Sequence, residues 1–239
     1  MNQKDVSIAT ITWARNDSEE AVLRNSLTHL ARLNIPVFIA DGGSQASFLA
    51  FLDGFPQFTL TDCRQPGVWP QTKTSLAAAY RTGTPFILYT EPDKAGFFAD
   101  SLPTLLNGIT VDEQSGVTLI SRSSRGFASF PAFQQMTETT INRCCAEVMG
   151  KEIDYVYGPF LLNRELVPYL ETLDPSVGWG WRPYAFHIAK RLSYRLEAHT
   201  GDFFCPEDQQ QDTPKERIYR MRQLSQNLEG LILSTTVAL

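Results

Sequence analysis

Two hydrophobic rhythms alternate along the first half of the chain. Continuous apolar runs at Val6–Thr12, Pro36–Ala40, Phe58–Thr61 and Pro85–Thr90 are rich in β-branched and aromatic residues and end at turn residues, which predicts buried strands. Between them the apolar positions fall at helical spacing: Leu23, Leu27 and Leu30; then Phe48, Leu49 and Leu52; then Leu76 and Tyr80 within Gln71–Arg81. Asp17 and Glu20 form a capping pattern before the first helix, and Ser44 is placed to cap the second. Strand and helix in strict alternation imply a parallel α/β sheet covered by helices on both faces.

The second half is less regular. Its pattern predicts helices over Phe97–Leu106 and Phe130–Met149, strands over Gly116–Ser121 and Tyr155–Leu162, and a short helix near Leu166–Thr172. An aromatic turn, Gly178-Trp179-Gly180-Trp181, precedes a helix from Pro183 to Leu192 and a strand over Tyr194–His199. Cys205 to Pro214 reads as an exposed loop. A last helix, about Pro214–Leu233, carries Ile218, Met221, Leu224, Leu228 and Leu231 as its apolar stripe. No repeat or strong linker divides the chain, so residues 1–239 are expected to form a single domain.

Composition narrows the function classes. The 239 residues are 43% hydrophobic and 20% charged, a globular balance. A net charge of −5 argues against a nucleic-acid binder. No run reaches transmembrane length, and the polar start Met1–Asp5 lacks the features of a secretory signal. Cys63, Cys144, Cys145 and Cys205 fit no zinc spacing and read as reduced thiols of a cytoplasmic protein. Lys215, Arg217, Arg220 and Arg222 lie opposite the last helix's apolar stripe, but Glu216 and Glu229 dilute their charge. That helix is therefore expected to pack on the domain or on a twin subunit, as a homodimer, rather than on a membrane.

The chemistry concentrates after the fourth strand. Glu91-Pro92-Asp93 places two carboxylates at the carboxyl end of a buried strand, the edge where ligands bind in open α/β sheets. Two hard oxygen donors there suit Mg²⁺ or Mn²⁺ arriving with phosphates. Asp41-Gly42-Gly43-Ser44 ends the second strand in a turn that allows close backbone approach.

Taken in order, these segments resemble the GT-A nucleotide-sugar glycosyltransferases, particularly family-2-like members. The shared pattern is an apolar strand, a strand ending in Asp-Asp-Gly-Ser, a helix beginning near Gly-Lys, and a strand ending in Asp-x-Asp. The resemblance covers about residues 6–200. It implies a mixed, mostly parallel GT-A sheet flanked by helices, with a nucleotide-binding half (1–110), an acceptor half (111–205) and a C-terminal loop and helix (206–239). It also implies metal-dependent transfer of a sugar from a nucleoside diphosphate sugar to a small-molecule or glycan acceptor.

Carried over by position, Asp41 would accept from the base, and Thr12 and Arg15 would line the nucleotide. Lys73 would lie near base and ribose, and Glu91 would contact ribose or a metal-bound water. Asp93 would be the main metal ligand and the central catalytic carboxylate. His199, with Asp202 second, would supply a further ligand from late in the chain; His29 and His187 read as surface or packing residues. Tyr157, Trp179 and Trp181 would build the acceptor side.

Three departures stand out: Glu91 for Asp, Gln71-Thr72-Lys73 without the preceding Gly, and Arg182 where an acidic general base is expected. A guanidinium cannot serve as a base. Either the base lies elsewhere, at Asp174 or Asp154, or the enzyme is retaining, or activity is lost. Arg182 itself would suit an anionic acceptor. Ser121–Gly126 reads as a solvated loop, with a mobile diphosphate loop as the alternative. Two rival functions remain. A sugar-nucleotidyltransferase would want glycines after the first strand, where Trp13-Ala14-Arg15-Asn16 stands, and an inactive binding protein would keep the fold without the chemistry.

Overall fold

The structure, a computed structural model, describes residues 3–63 and 65–239. Its strands are β1 Val6–Thr12, β2 Val37–Asp41, β3 Phe58–Thr61, β4 Phe86–Tyr89, β5 Ser115–Arg122, β6 Phe160–Asn163 and β7 Arg195–Gly201. Its α-helices are α1 Asp17–Ala31, α2 Ala46–Asp53, α3 Val68–Tyr80, α4 Leu102–Gly108, α5 Ser124–Ala128, α6 Ala132–Met149, α7 Trp181–Arg191 and α8 Pro214–Thr236. The strands form a mixed, mostly parallel sheet in the order β3-β2-β1-β4-β6-β5-β7, flanked by helices as expected. The chain divides into two compact units, Met1–Asp112 with Leu161–Glu171, and Glu113–Phe160 with Thr172–Leu239.

In the first unit β1 pairs in parallel with both β2 and β4, and β2 with β3. Every residue of β4 is buried, and all of β1 except Ile11, which is why these segments read as unbroken apolar runs. Parallel pairing brings the carboxyl ends of β1, β2 and β4 to one edge. Helix α1 starts one residue earlier than the sequence suggests. Asn16 is its N-cap and accepts from the Glu19 amide at 3.0 Å, while Glu19 accepts from the Arg15 amide. Ser44 does not cap α2: Gln45 holds that position without a side-chain bond, because the Ser44 hydroxyl is engaged elsewhere. The expected helix Phe97–Leu106 is a five-residue π-helix, Phe97–Ser101, followed by α4.

In the second unit β5 and β7 are parallel partners, with Ile120 opposite His199. Three expectations fail here for physical reasons. Residues Tyr155–Gly158 do not join a ladder; the first backbone bond to β5 is the Ile120 amide to the Pro159 carbonyl at 3.1 Å. The Asn142 and Asp154 side chains take the Tyr155 and Val156 amides, and Gly158 turns the chain at φ 131°, so β6 begins only at Phe160. Ser121–Gly126 is not a solvated loop: β5 runs on through the buried Arg122, and Ser123 caps α5 by accepting from the Gly126 amide.

The third concerns α8, whose buried residues are Gln223, Asn227, Gly230, Leu231 and Ser234, whereas Ile218 and Met221 are each 50% exposed. The helix lies so close to the aromatic turn that a Cβ on Gly230 would sit 1.9 Å from the Gly180 carbonyl oxygen. Contact at that range selects small and polar residues for the buried face. Of the expected stripe only Leu231 is fully buried.

Candidate functional site

The edge formed by β1, β2 and β4 is built around Asp41. Its Oδ1 accepts from the amides of Gly43 (2.8 Å) and Ser44 (2.7 Å), and its Oδ2 from the hydroxyls of Thr12 and Ser44 (2.7 Å each). Ser44 Oγ in turn accepts from the Ala14 amide at 2.8 Å. A carboxylate offers about four acceptor positions, and here the chain itself fills them. Asp41 thus locks the loop after β1 to the loop after β2.

Gln71 performs the same task from below. It is buried on α3, donates from Nε2 to the carbonyls of Thr12 and Ala40 (2.9 Å each), and accepts the Gly67 amide at 3.0 Å. A Cβ on Gly42 would meet both Gln71 and Trp13 at 3.0 Å, so glycine is what lets this turn close. Neither Gln71 nor Trp13 was singled out by sequence reasoning. The available signal for Trp13 was an aromatic directly after a buried strand. Trp13 is 43% exposed, with the Arg15 guanidinium 5.7 Å from its ring centre; Arg15 also pairs with Glu19 at 2.8 Å.

Glu91, Pro92 and Asp93 follow β4 on the same unit, all partly exposed. The Lys94 ammonium stands 3.6 Å from Asp93 Oδ1, a neighbour the motif alone did not weigh. Among the described residues no group of three His, Cys, Asp or Glu side chains forms a self-sufficient metal site. Two carboxylates on one turn instead fit a Mg²⁺- or Mn²⁺-type ion that draws its remaining oxygens from phosphates and water. Lys73 is not at the start of its helix as expected. α3 begins at Val68, and the Lys73 ammonium donates to the Glu171 carbonyl. A cavity of about 560 Å³, lined by His29, Arg32, Asn34 and Asp100 among others, lies by the C-terminal end of α1, away from this edge.

The remaining candidates belong to the second unit. Trp179 is nearly buried; its indole N–H donates to Tyr219 Oη at 2.9 Å and its amide to Gln226 Oε1 at 3.2 Å, both on α8. Trp181 is fully buried with its ring 5.4 Å from that of Phe160. Arg182 is buried as well, between the rings of Phe160 and Trp179, with a 3.4 Å bond to the Tyr155 carbonyl. Tyr157 is half-buried and stacks on Phe203 at 5.0 Å. His199 is exposed on β7, and Asp202 just beyond pairs with Ser123 and Arg125.

The two carboxylates considered as a base have other partners. Asp154 is tied to Arg122 through Oδ2 at 2.7 Å and to Asn142 through Oδ1 at 3.0 Å. Burial would raise its pKa, but the Arg122 charge and these bonds outweigh that and hold it below the usual range. A carboxylate so stabilised is a poor base. Asp174 caps the turn before Trp179, and its bonds to the Ser176 hydroxyl and amide lower its pKa. Burial pushes the Cys145 thiol up to about 12, which keeps it protonated, and among the described residues no cysteine forms a disulfide.

This arrangement, a mixed, mostly parallel seven-stranded sheet flanked by helices, is a GT-A-like fold. No protein-family model and no curated protein sequence matches the chain. Among similar solved structures is a mycobacterial protein at TM-score 0.66 and 13% identity, over 98% of this chain and 75% of that one. Another is glucosyl-3-phosphoglycerate synthase from Mycobacterium tuberculosis in complex with UDP, at TM-score 0.65 and 16% identity, over 97% and 81%. The same enzyme with Mn²⁺, UDP-glucose and phosphoglyceric acid matches at TM-score 0.65 and 15% identity, over 97% and 80%. At such identities the likeness is one of fold. Among the described residues no helix is long and apolar enough to cross a membrane.

Proposed function

We propose that this chain is a metal-dependent glycosyltransferase that moves a sugar from a nucleoside diphosphate sugar to a small-molecule or glycan acceptor. One observation carries the reading. Three neighbouring parallel strands deliver a locked, glycine-bearing loop, an exposed aromatic face and a pair of carboxylates to a single edge, in a fold whose similar solved structures include complexes with UDP and Mn²⁺.

In this reading Trp13 offers its exposed face to the base, and the loop between Thr12 and Arg15 borders the nucleotide. Because Asp41 is saturated by its own loop, its part is to hold that loop open for the base. Glu91 and Asp93 would hold Mn²⁺ or Mg²⁺, which when bound neutralises charge developing on the diphosphate leaving group. Transfer breaks the bond between the anomeric carbon and the diphosphate oxygen and forms one to the acceptor oxygen. The chain's share is positioning and exclusion of water. The aromatic turn around Trp179 is the acceptor-side element, fixed by α8.

Calorimetry with UDP, GDP and their sugars, with and without Mn²⁺, tests this. Metal-dependent binding of one nucleotide sugar, with slow release of free sugar, is the expected result. Absence of binding to every nucleotide sinks the proposal. Tight binding with no turnover against any acceptor or water would favour a binding protein, a reading to which the burial of Arg182 and the Lys94 ammonium beside Asp93 give some support.

A further inference from the structure

The outer face of α8 carries a pattern that the rest of the chain does not use. Ile218, Met221, Ser225, Leu228, Ile232 and Thr235 recur at alternating steps of three and four, the a and d positions of a coiled coil. On most exposed helices such positions are polar. Here Ile218 and Met221 are each 50% exposed and Ile232 58%, while the opposite face, Gln223, Asn227 and Gly230, packs inward. Two exposed charges of opposite sign border the stripe one heptad apart, Arg222 and Glu229.

That spacing identifies the occupant. If a second copy of α8 lies antiparallel across a two-fold axis near Ser225–Leu228, Met221 meets Ile232 of the partner subunit. Arg222 then falls beside Glu229 of the partner subunit, and the same contacts recur by symmetry. A parallel copy would set like charges side by side. An anionic membrane fits less well. Arg217 is bound to Asp212 at 2.8 Å, Arg220 turns towards Gln223 and Glu138, and the chain as a whole carries −5.

We propose that α8 is the seam of an antiparallel homodimer, closed by reciprocal Arg222–Glu229 pairs. The seam does not depend on the transferase reading, although it bears on it: the inner face of the same helix holds Trp179 through Tyr219 and Gln226.

Sedimentation equilibrium of the full chain should give twice the 26.8 kDa of one copy. Ile232→Glu and Met221→Glu should each give the single-copy mass with unchanged circular dichroism. Arg222→Glu and Glu229→Arg should each weaken dimerisation several-fold, and the double variant should recover it. A wild-type monomer at the highest concentration reached, or a dimer indifferent to Ile232→Glu, overturns the seam. Failure of the double variant to recover overturns the antiparallel register. Binding of a monomeric wild type to phosphatidylserine vesicles, lost in Ile232→Glu, would assign the stripe to a membrane instead.

Discussion

Two groups of carboxylates in the chain are set apart by their environments. Glu91 and Asp93 stand partly exposed beyond β4, with one lysine ammonium 3.6 Å from Asp93. Asp154 and Glu138 are buried around Arg122, which donates to both at 2.7 Å and lies under the rings of Phe127 and Phe130 at 4.7 and 4.4 Å. Burial would lower the Arg122 pKa, but the two carboxylates reverse that and raise it. In the second group each acceptor faces a donor of this chain, so the group is structural. In the first the residues are only partly exposed and follow β4 at the edge where the Asp41 loop lies. Charge near a strand end is thus no sign of function until its neighbours are known.

The hardest test of that contrast is Arg122→Ala, which leaves two buried carboxylates uncompensated. Urea unfolding should show a loss of about 3–5 kcal/mol. A loss under 1 kcal/mol, the range of exposed pairs, would erase the distinction. Acid sharpens it. The Asp154 pKa is lower in the folded chain than in the unfolded one, so below the ordinary aspartate value of about 3.9 the unfolded state takes up more protons. The stability Asp154 contributes is full above that value and lost as pH falls through the folded value. Thermal melts between neutral pH and pH 3 should show this acid loss in the wild type and a shallower one in Asp154→Asn.

A smaller effect separates the edge's scaffold from its open side. Gln71→Ala strips acceptors and donors from Thr12, Ala40 and Gly67 inside the protein and should cost about 1–3 kcal/mol. It should also raise the KM for the nucleotide sugar more than it lowers kcat, because it moves the loop and not the reacting atoms. An unchanged KM would mean the loop does not touch the nucleotide.

The same contrast explains what could be read from the sequence. The edge of β1, β2 and β4 was legible because its signals are local: buried runs, turn residues, acids directly after a strand. The Arg122 network was not, since its partners lie 16 and 32 residues away and Ser121–Gly126 on its own looks solvated. The start of β6 was hidden likewise, because Asn142, 13 residues earlier, takes the Tyr155 amide. The inner face of α8 was misread because the Gly180–Gly230 approach reverses the usual preference for large apolar residues there. Asp41 stands out in the sequence from its turn, but its saturation by Thr12, Gly43 and Ser44 is visible only in three dimensions.

The smallest expected change in stability is the most informative about function. Asp93→Asn removes one charge from a partly exposed turn, beside a lysine that remains largely where it was. The pair is long at 3.6 Å and Asp93 is 39% exposed, so unfolding should shift by no more than about 1 kcal/mol. If Asp93 is held for a metal and a diphosphate, the same variant should lose the Mn²⁺-dependent part of UDP binding while retaining whatever the base contacts supply. Glu91→Gln, one methylene longer and two residues earlier, should lose less. Equal binding by Asp93→Asn and wild type in the presence of Mn²⁺, at equal stability, would make these carboxylates a solvated turn, and only their place beside the Asp41 loop would then distinguish the edge.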